Sequence, residues 1–285
     1  MPFVIPYPDI DPVLVTFELF GLSLPIRWYA LAYLGGLLIG LWIFRRLIAR
    51  PALWPRAAAP LSGEQAEALL TWMVAGVILG GRLGFVLFYQ PGYYLSHPAE
   101  ILQVWAGGMS FHGGFLGVIL AIAVFCRVHK APLLQVADGV AVATPVGLFL
   151  GRSANFINGE LWGRATDAPW GMVFPGAGDL PRHPSQLYEA GLEGLLLLAL
   201  MLFLALRRGW LRRPGMLTGL FFIGYGAARA FVELFREPDA QFFSPDNPAG
   251  HAFRLGAEWG LTMGQALSLP MILIGLGFWA AARRA

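Results

Sequence analysis

Charge is scarce in this chain. Only 13% of its 285 residues are Asp, Glu, Lys or Arg, against roughly 25% in an average soluble domain. One lysine, Lys130, and one cysteine, Cys126, occur. The single cysteine excludes an internal disulfide, a CxxC motif and a cysteine zinc site. Its apolar neighbours, Val124 and Phe125, favour a buried inert thiol over a nucleophile. Lys or Arg is missing from the first 26 residues, which instead hold Asp9, Asp11 and Glu18. That is the reverse of a positive leader, so no cleaved signal peptide is expected. No HExxH, P-loop or nucleophile elbow is present, and no Cys/His cluster points to a metal. What fills the chain instead is apolar: 57% hydrophobic residues and a mean hydropathy of +0.61. A total of 36 Gly and 21 Pro rules out a coiled coil.

The apolar residues come in runs near the ~20 residues needed to cross a bilayer, rather than in amphipathic stripes. The reading is an all-α polytopic membrane protein, a single transmembrane domain over residues 1–285. Seven spans are expected, near Leu24–Phe44, Ala68–Phe88, Phe111–Phe125, Leu133–Leu150, Leu187–Leu206, Met216–Phe235 and Met263–Ala282. Between spans four and five, residues 151–186 carry Gly, Pro and Trp but no long apolar run. Trp162, Trp170 and Phe174 give this segment something to pack, so it reads as a small ordered external cap.

The few charges then orient the set. Twelve basic residues follow the odd-numbered spans: Arg45, Arg46, Arg50, Arg56, Arg127, Lys130, Arg207, Arg208, Arg212, Arg213, Arg283 and Arg284. Eleven acids, among them Asp239 and Glu258, fall on the opposite side, against Glu64 and Glu67 on the basic side. The positive-inside rule places the N-terminus outside and the C-terminus in the cytoplasm.

Two arginines fall inside spans. Arg82, in Gly80-Gly81-Arg82-Leu83-Gly84, and Arg229, in Tyr225-Gly226-Ala227-Ala228-Arg229, each lie about seven residues, or roughly 10 Å, below the outer end of their span. A charge at that depth costs a few kcal/mol unless it faces a wet cavity or the bundle interior, so each is a functional candidate. Snorkelling, or pairing with Glu189, Glu193 or Glu233, is an equal alternative for either one alone. Other polar residues gather at the same level: Tyr29, His112, Arg152, Asn155, Asn158, Glu160, His183, Ser185, Gln186 and Glu189. Tyr225, Arg229 and Glu233 are spaced to share one helix face with Arg236. Asp138 in span four is the exception and reads as structural. Small-xxx-small spacings at Gly76/Gly80/Gly84 and Gly113/Gly117 permit close helix approach; Gly113-Gly114 could equally let backbone approach a ligand.

A cavity in the outer half of a bilayer with two or more arginines suits an anion, since guanidinium forks match phosphate oxygens. A phospholipid head group is the simplest such ligand, and His112 could take a proton near neutral pH. Ser110 lies too close to His112 in sequence to read as a Ser–His dyad. A carrier or flippase for an anionic lipid would also need buried arginines, but predicts polar groups through the whole depth. An intramembrane protease would need paired aspartates or a nucleophile–base pair, and Asp138 stands alone.

The run Gly151-Arg152-Ser153-Ala154-Asn155-Phe156-Ile157-Asn158-Gly159-Glu160-Leu161-Trp162-Gly163 resembles the signature of bacterial prolipoprotein diacylglyceryl transferases. Gly108-Met109-Ser110-Phe111-His112-Gly113-Gly114, Arg182-His183-Pro184-Ser185-Gln186-Leu187-Tyr188-Glu189 and Tyr225–Arg229 agree with it in family order. Ala154 stands where glycine is usual. The resemblance implies a multi-pass enzyme of the bacterial inner membrane, its active site toward the outer leaflet. Such an enzyme moves the sn-1,2-diacylglyceryl group of phosphatidylglycerol to the lipobox cysteine of a prolipoprotein signal peptide, releasing glycerol 1-phosphate. No metal, organic cofactor or nucleic acid partner is implied. Carried over, the catalytic residues would be His112, Arg152 and Arg229. Arg152 and Arg229 would hold the phosphate, and His112 would deprotonate the thiol. Tyr29, Arg82, Asn155, Asn158, Glu160, His183, Tyr225, Glu233 and Arg236 would bind or orient substrate.

Overall fold

The computed structural model describes residues 5–238, 240–254, 256 and 259–284; Asp239 and Glu258 lie outside this set. The chain opens with an antiparallel hairpin, β1 (Val13–Leu19) and β2 (Leu22–Arg27). It continues without a loop into α1 (Trp28–Ile48). Next come α2 (Gly63–Phe88), the short α3 (Pro91–Ser96), α4 (Phe111–Val128) and α5 (Leu133–Ile157). After a loop-built cap, α6 (Ser185–Glu189), a π-helical stretch (Ala190–Leu196) and α7 (Leu197–Arg207) form one continuous helix. α8 (Met216–Val232), a two-residue ladder of β3 (Phe253–Arg254) with β4 (Gly260–Leu261), and α9 (Met263–Arg284) complete it.

Among the described residues, six helices are long and apolar enough to cross a membrane, so the chain is a mostly helical polytopic membrane protein. Six of the seven expected apolar windows fall on those helices. The other, Met216–Phe235, holds the 17-residue α8, which ends at Val232.

Boundaries move for physical reasons. The expected first span began at Leu24, yet Leu24 sits in β2, because the stretch from Val15 to Ile26 alternates with period two and contains Pro25. The second span starts at Gly63 rather than Ala68, set by a capping box. Gln65 N–H donates to Ser62 Oγ (3.2 Å), and Ser62 N–H donates to Gln65 Oε1 (2.9 Å). α5 runs on to Ile157, so Arg152 and Asn155 sit on helix rather than in a loop.

Packing is tightest where side chains vanish. α2 lies on α4 through Gly76, Gly80 and Gly84 against Gly113 and Gly117; a Cβ on Gly80 would stand 2.8 Å from Gly117 Cα. The glycines at 113 and 117 therefore serve helix contact. Gly219 and Gly275 do the same for α8 and α9.

Large buried side chains collect at the basic end of the bundle: Phe44, Leu47, Trp54, Phe125, Val136, Met201, Leu211 and Leu217. Cys126 is buried in this core. Asp138, wholly buried, accepts from the backbone N–H groups of Gly215 and Thr218 and from the Thr218 hydroxyl, all at 2.7 Å. It caps the N-terminus of α8, where a carboxylate meets the positive end of the helix dipole.

Candidate active site

At the end of the bundle away from this core, α5, the α6–α7 helix and α8 bring their charges together. Glu189, wholly buried at the end of α6, receives three guanidinium groups. Arg152 Nε of α5 stands 3.0 Å from its Oε2, Arg236 Nη1 is 2.9 Å from its Oε1, and Arg229 Nη1 is hydrogen-bonded to the same Oε1. Glu233 pairs with Arg229 through its Nη2 and lies 3.4 Å from Arg236 Nε. The Thr262 hydroxyl donates to Glu233 at 2.7 Å. On α8, Tyr225 and Arg229 are one turn apart and Arg229 pairs with Glu233 at the C-cap; the charges of Glu193, Arg152, Arg229 and Glu189 act on Tyr225.

Glu193 and Arg152 are the least engaged members of the cluster. Glu193, wholly buried on the π-helical turn, has no hydrogen bond to either oxygen and stands 4.0 Å from Arg152 Nε. Arg152, the most open of the three arginines with 21% of its side chain exposed, is engaged only through Nε. Its two terminal nitrogens make no hydrogen bond among the described residues. Arg229 differs, because both its terminal nitrogens are held by carboxylates. The pairing alternative weighed for Arg229 is therefore what this structure contains, and Arg152 carries the open fork. An anion is the chemistry that fork suits.

Below Arg152 the chain leaves α5 through a tight turn. Asn155 Nδ2 and Asn158 Nδ2 both donate to Glu160 Oε1, at 2.8 and 3.2 Å. Gln186 Nε2 donates to the Glu160 carbonyl at 2.6 Å, and Ser185 Oγ to that of Leu161 at 3.0 Å. The turn needs positive φ at Gly159 (+64°) and at Leu161 (+58°). Gly163 admits no side chain: a Cβ would fall 2.7 Å from that of His183 and on the Phe235 carbonyl. Tyr29 of α1, bonded to Tyr33 at 3.1 Å, has Asn155 and Glu160 as neighbours.

The cap over this turn packs around Phe174, buried against Tyr7, Phe156 and Trp162. Trp170, the third aromatic expected there, stays half-exposed and donates Nε1–H to Tyr188 Oη at 2.7 Å. That leaves the Tyr188 proton for His183 Nδ1, 3.0 Å away. Burial lowers the His183 pKa from its ordinary value, in keeping with a neutral ring that accepts at Nδ1.

Two expected site residues stand elsewhere. Arg82 is buried, but its guanidinium donates to the carbonyls of Glu100 (2.5 Å), Ile101 (2.8 Å), Gly107 (2.6 Å) and Gly108 (3.3 Å), and stacks 5.0 Å over Tyr94. It anchors the loop between α2 and α4. His112 is exposed on the first turn of α4, against Phe111, and is not drawn into the ion-pair network. Ser110 is the N-cap of that helix, accepting from Gly113 N–H at 3.2 Å. The sequence offers Glu189 and Glu193 only as possible partners of the arginines, not as site residues; the structure makes Glu189 the hub and leaves Glu193 without a hydrogen bond.

Comparison with known proteins decides the family. A family profile described as "Prolipoprotein diacylglyceryl transferase" matches residues 15–281. The chain belongs to the prolipoprotein diacylglyceryl transferase family. It is 58% identical to a phosphatidylglycerol–prolipoprotein diacylglyceryl transferase of Cereibacter sphaeroides, over 98% of each chain. It is 54% identical to the Roseobacter denitrificans protein of the same name, over 99% of this chain and 98% of the relative. The Methylocella silvestris protein of that name is also 54% identical, over 100% of this chain and 98% of its own.

Proposed function

We propose that this chain is a phosphatidylglycerol–prolipoprotein diacylglyceryl transferase. The observation that carries the reading is near-full-length identity with proteins of that name. The chemistry follows from the cluster. The phosphate of phosphatidylglycerol binds the terminal nitrogens of Arg152, with Arg229 beside it, in the outer leaflet. His112 accepts the proton of the lipobox cysteine, whose thiolate is the nucleophile. Sulfur attacks the glyceryl carbon that bears the phosphate. A C–S thioether bond forms as the C–O bond breaks, and the electron pair leaves on glycerol 1-phosphate, where the guanidiniums oppose the developing charge. The product is a diacylglyceryl prolipoprotein, the first intermediate of lipoprotein maturation.

Other residues act on these. Glu189 and Glu233 hold Arg229 and Arg236 in place, and the Tyr29, Asn155, Asn158, Glu160 and Tyr225 group orients the glycerol side of the substrate. Arg82 and His183 serve through the loop and cap that they fix. The topology proposed is seven spans in one transmembrane domain of the inner membrane, the N-terminus and the 151–186 cap outside and the C-terminus in the cytoplasm. Six long helices, and twelve basic residues that follow the odd-numbered spans while the opposed acids precede the first span or follow the even-numbered ones, support it. At ~1.5 Å per residue the 17-residue α8 reaches about 26 Å, which the turns to Phe235 extend.

Purified protein given phosphatidylglycerol and a lipobox peptide should release glycerol 1-phosphate only when the peptide carries cysteine. Arg152→Ala should lower the rate by about a hundredfold or more, and His112→Gln should lose rate at neutral pH and regain it as the pH rises. Full activity of Arg152→Ala, or release with a serine peptide, would refute the reading.

A further inference from the structure

The β1–β2 hairpin takes no part in the site, and its side chains sort by face. Residues directly opposite on an antiparallel pair share a face. Leu19 opposes Leu22, Phe17 opposes Leu24 and Val15 opposes Ile26, so one face holds six apolar side chains. Glu18 opposes Ser23 and Thr16 opposes Pro25 on the other. The apolar face does not pack on the bundle: Phe17, Leu19, Leu22 and Leu24 are all exposed.

The tip adds a second, independent observation. The two turn residues are Phe20 and Gly21, at φ +51° and +79°. A two-residue turn of this kind calls for Asn-Gly or Gly-Gly, because a bulky side chain at positive φ is strained. Phe20 takes that strain and is 97% exposed, so no contact among the described residues compensates for it. A lone two-stranded hairpin with a bare apolar face is barely stable in water. Among the described residues nothing covers this face.

The position of the hairpin bears on what covers it. β2 ends at Arg27 and α1 begins at Trp28, so the hairpin joins a membrane-spanning helix with no intervening loop. The first turns of α1 that follow it also leave Leu31, Tyr33 and Leu34 exposed, as a helix facing lipid does. The face has neither charge nor pocket for a polar ligand, and a peptide strand adding to the hairpin would use its edges rather than this face. We propose that the β1–β2 hairpin is a membrane-docking element. It lies on the leaflet at the N-terminal end of α1, its apolar face among the acyl chains and Phe20 deepest, with Thr16, Glu18 and Ser23 toward water.

The test uses the full chain in vesicles of phosphatidylglycerol and phosphatidylethanolamine, in a Cys126→Ser background. An environment-sensitive fluorophore is attached at Phe20→Cys, Leu22→Cys or Ser23→Cys. The first two labels should be quenched several-fold more by a lipid nitroxide near the top of the acyl chain than by aqueous iodide. The label at Ser23→Cys should show the opposite order, and iodide quenching of all three alike overturns the proposal. Two other outcomes overturn it as well. Protection of Phe20→Cys only after a lipobox peptide is added would make the face a peptide dock. Protection lost on diluting the protein in lipid would make it a contact between copies. Leu22→Cys keeps the test open should the tip variant fold poorly.

Discussion

Three arginines and three glutamates share one buried cluster, and they are not equivalent. Glu189 accepts hydrogen bonds from Arg229 and Arg236 and forms an ion pair with Arg152, whereas neither oxygen of Glu193 accepts a hydrogen bond. Removing a partner from a buried ion pair costs about 3–5 kcal/mol, because the remaining charges stay desolvated. Glu189→Gln should therefore lower the melting temperature in detergent sharply. Glu193→Gln keeps the shape and removes a carboxylate with no hydrogen bond, so its melting temperature should match or exceed that of the parent; equal losses in both variants would show the two carboxylates to be interchangeable. His183 gives a pH prediction. Its pKa is lowered in the folded chain by burial, so below the ordinary 6.5 the unfolded chain takes up the proton first. Stability is then full above 6.5 and falls as the pH drops through that value toward the lower folded pKa. Melting temperature should drop between pH 7.5 and 5.5, and His183→Gln should flatten the drop. At this scale the sequence marked the intramembrane arginines and the helical spacing of Tyr225, Arg229 and Glu233. It could not show that backbone carbonyls would occupy Arg82, because carbonyl positions leave no trace in side-chain pattern.

At the level of elements, the close approach of α2 and α4 depends on glycine. A Cβ on Gly84 would sit 2.7 Å from Gly113 Cα, and one on Gly117 would overlap the Gly76 carbonyl. Gly147, by contrast, has nothing within 4 Å of the place its Cβ would take. Gly117→Val should then cost about 1–3 kcal/mol or more through overpacking, while Gly147→Ala should leave thermal stability unchanged. Chemical denaturation of the two variants side by side checks this. The apolar windows made the spanning helices legible, since length and hydropathy carry that signal. The hairpin was not legible to the same windows: Leu22 to Ile26 is apolar enough to merge with α1, and only its period-two alternation marks a strand. The end of α5 was hidden for the converse reason. Arg152 and Asn155 look like loop residues until Glu189 and Glu160 are seen to receive them.

Over the whole molecule the polarity is one-sided. The basic end is closed by Phe44, Trp54, Phe125 and Leu211, and its one buried acid, Asp138, is spent on capping α8. A carrier for an anionic lipid would need polar side chains through that half; the described residues fill it with hydrocarbon. The other end holds the ion-pair cluster, the turn around Glu160 and the cap, which suits a site where a lipid and a secreted peptide meet. The central claim is group transfer from phosphatidylglycerol to a cysteine thiol, and mass spectrometry of the peptide tests it most directly. After incubation of the purified protein with phosphatidylglycerol and a lipobox peptide, the peptide should gain one diacylglyceryl group, located on its cysteine by fragmentation, and Arg152→Ala should leave it unmodified. A peptide unchanged by the parent protein, or modified at any residue but cysteine, would contradict the account.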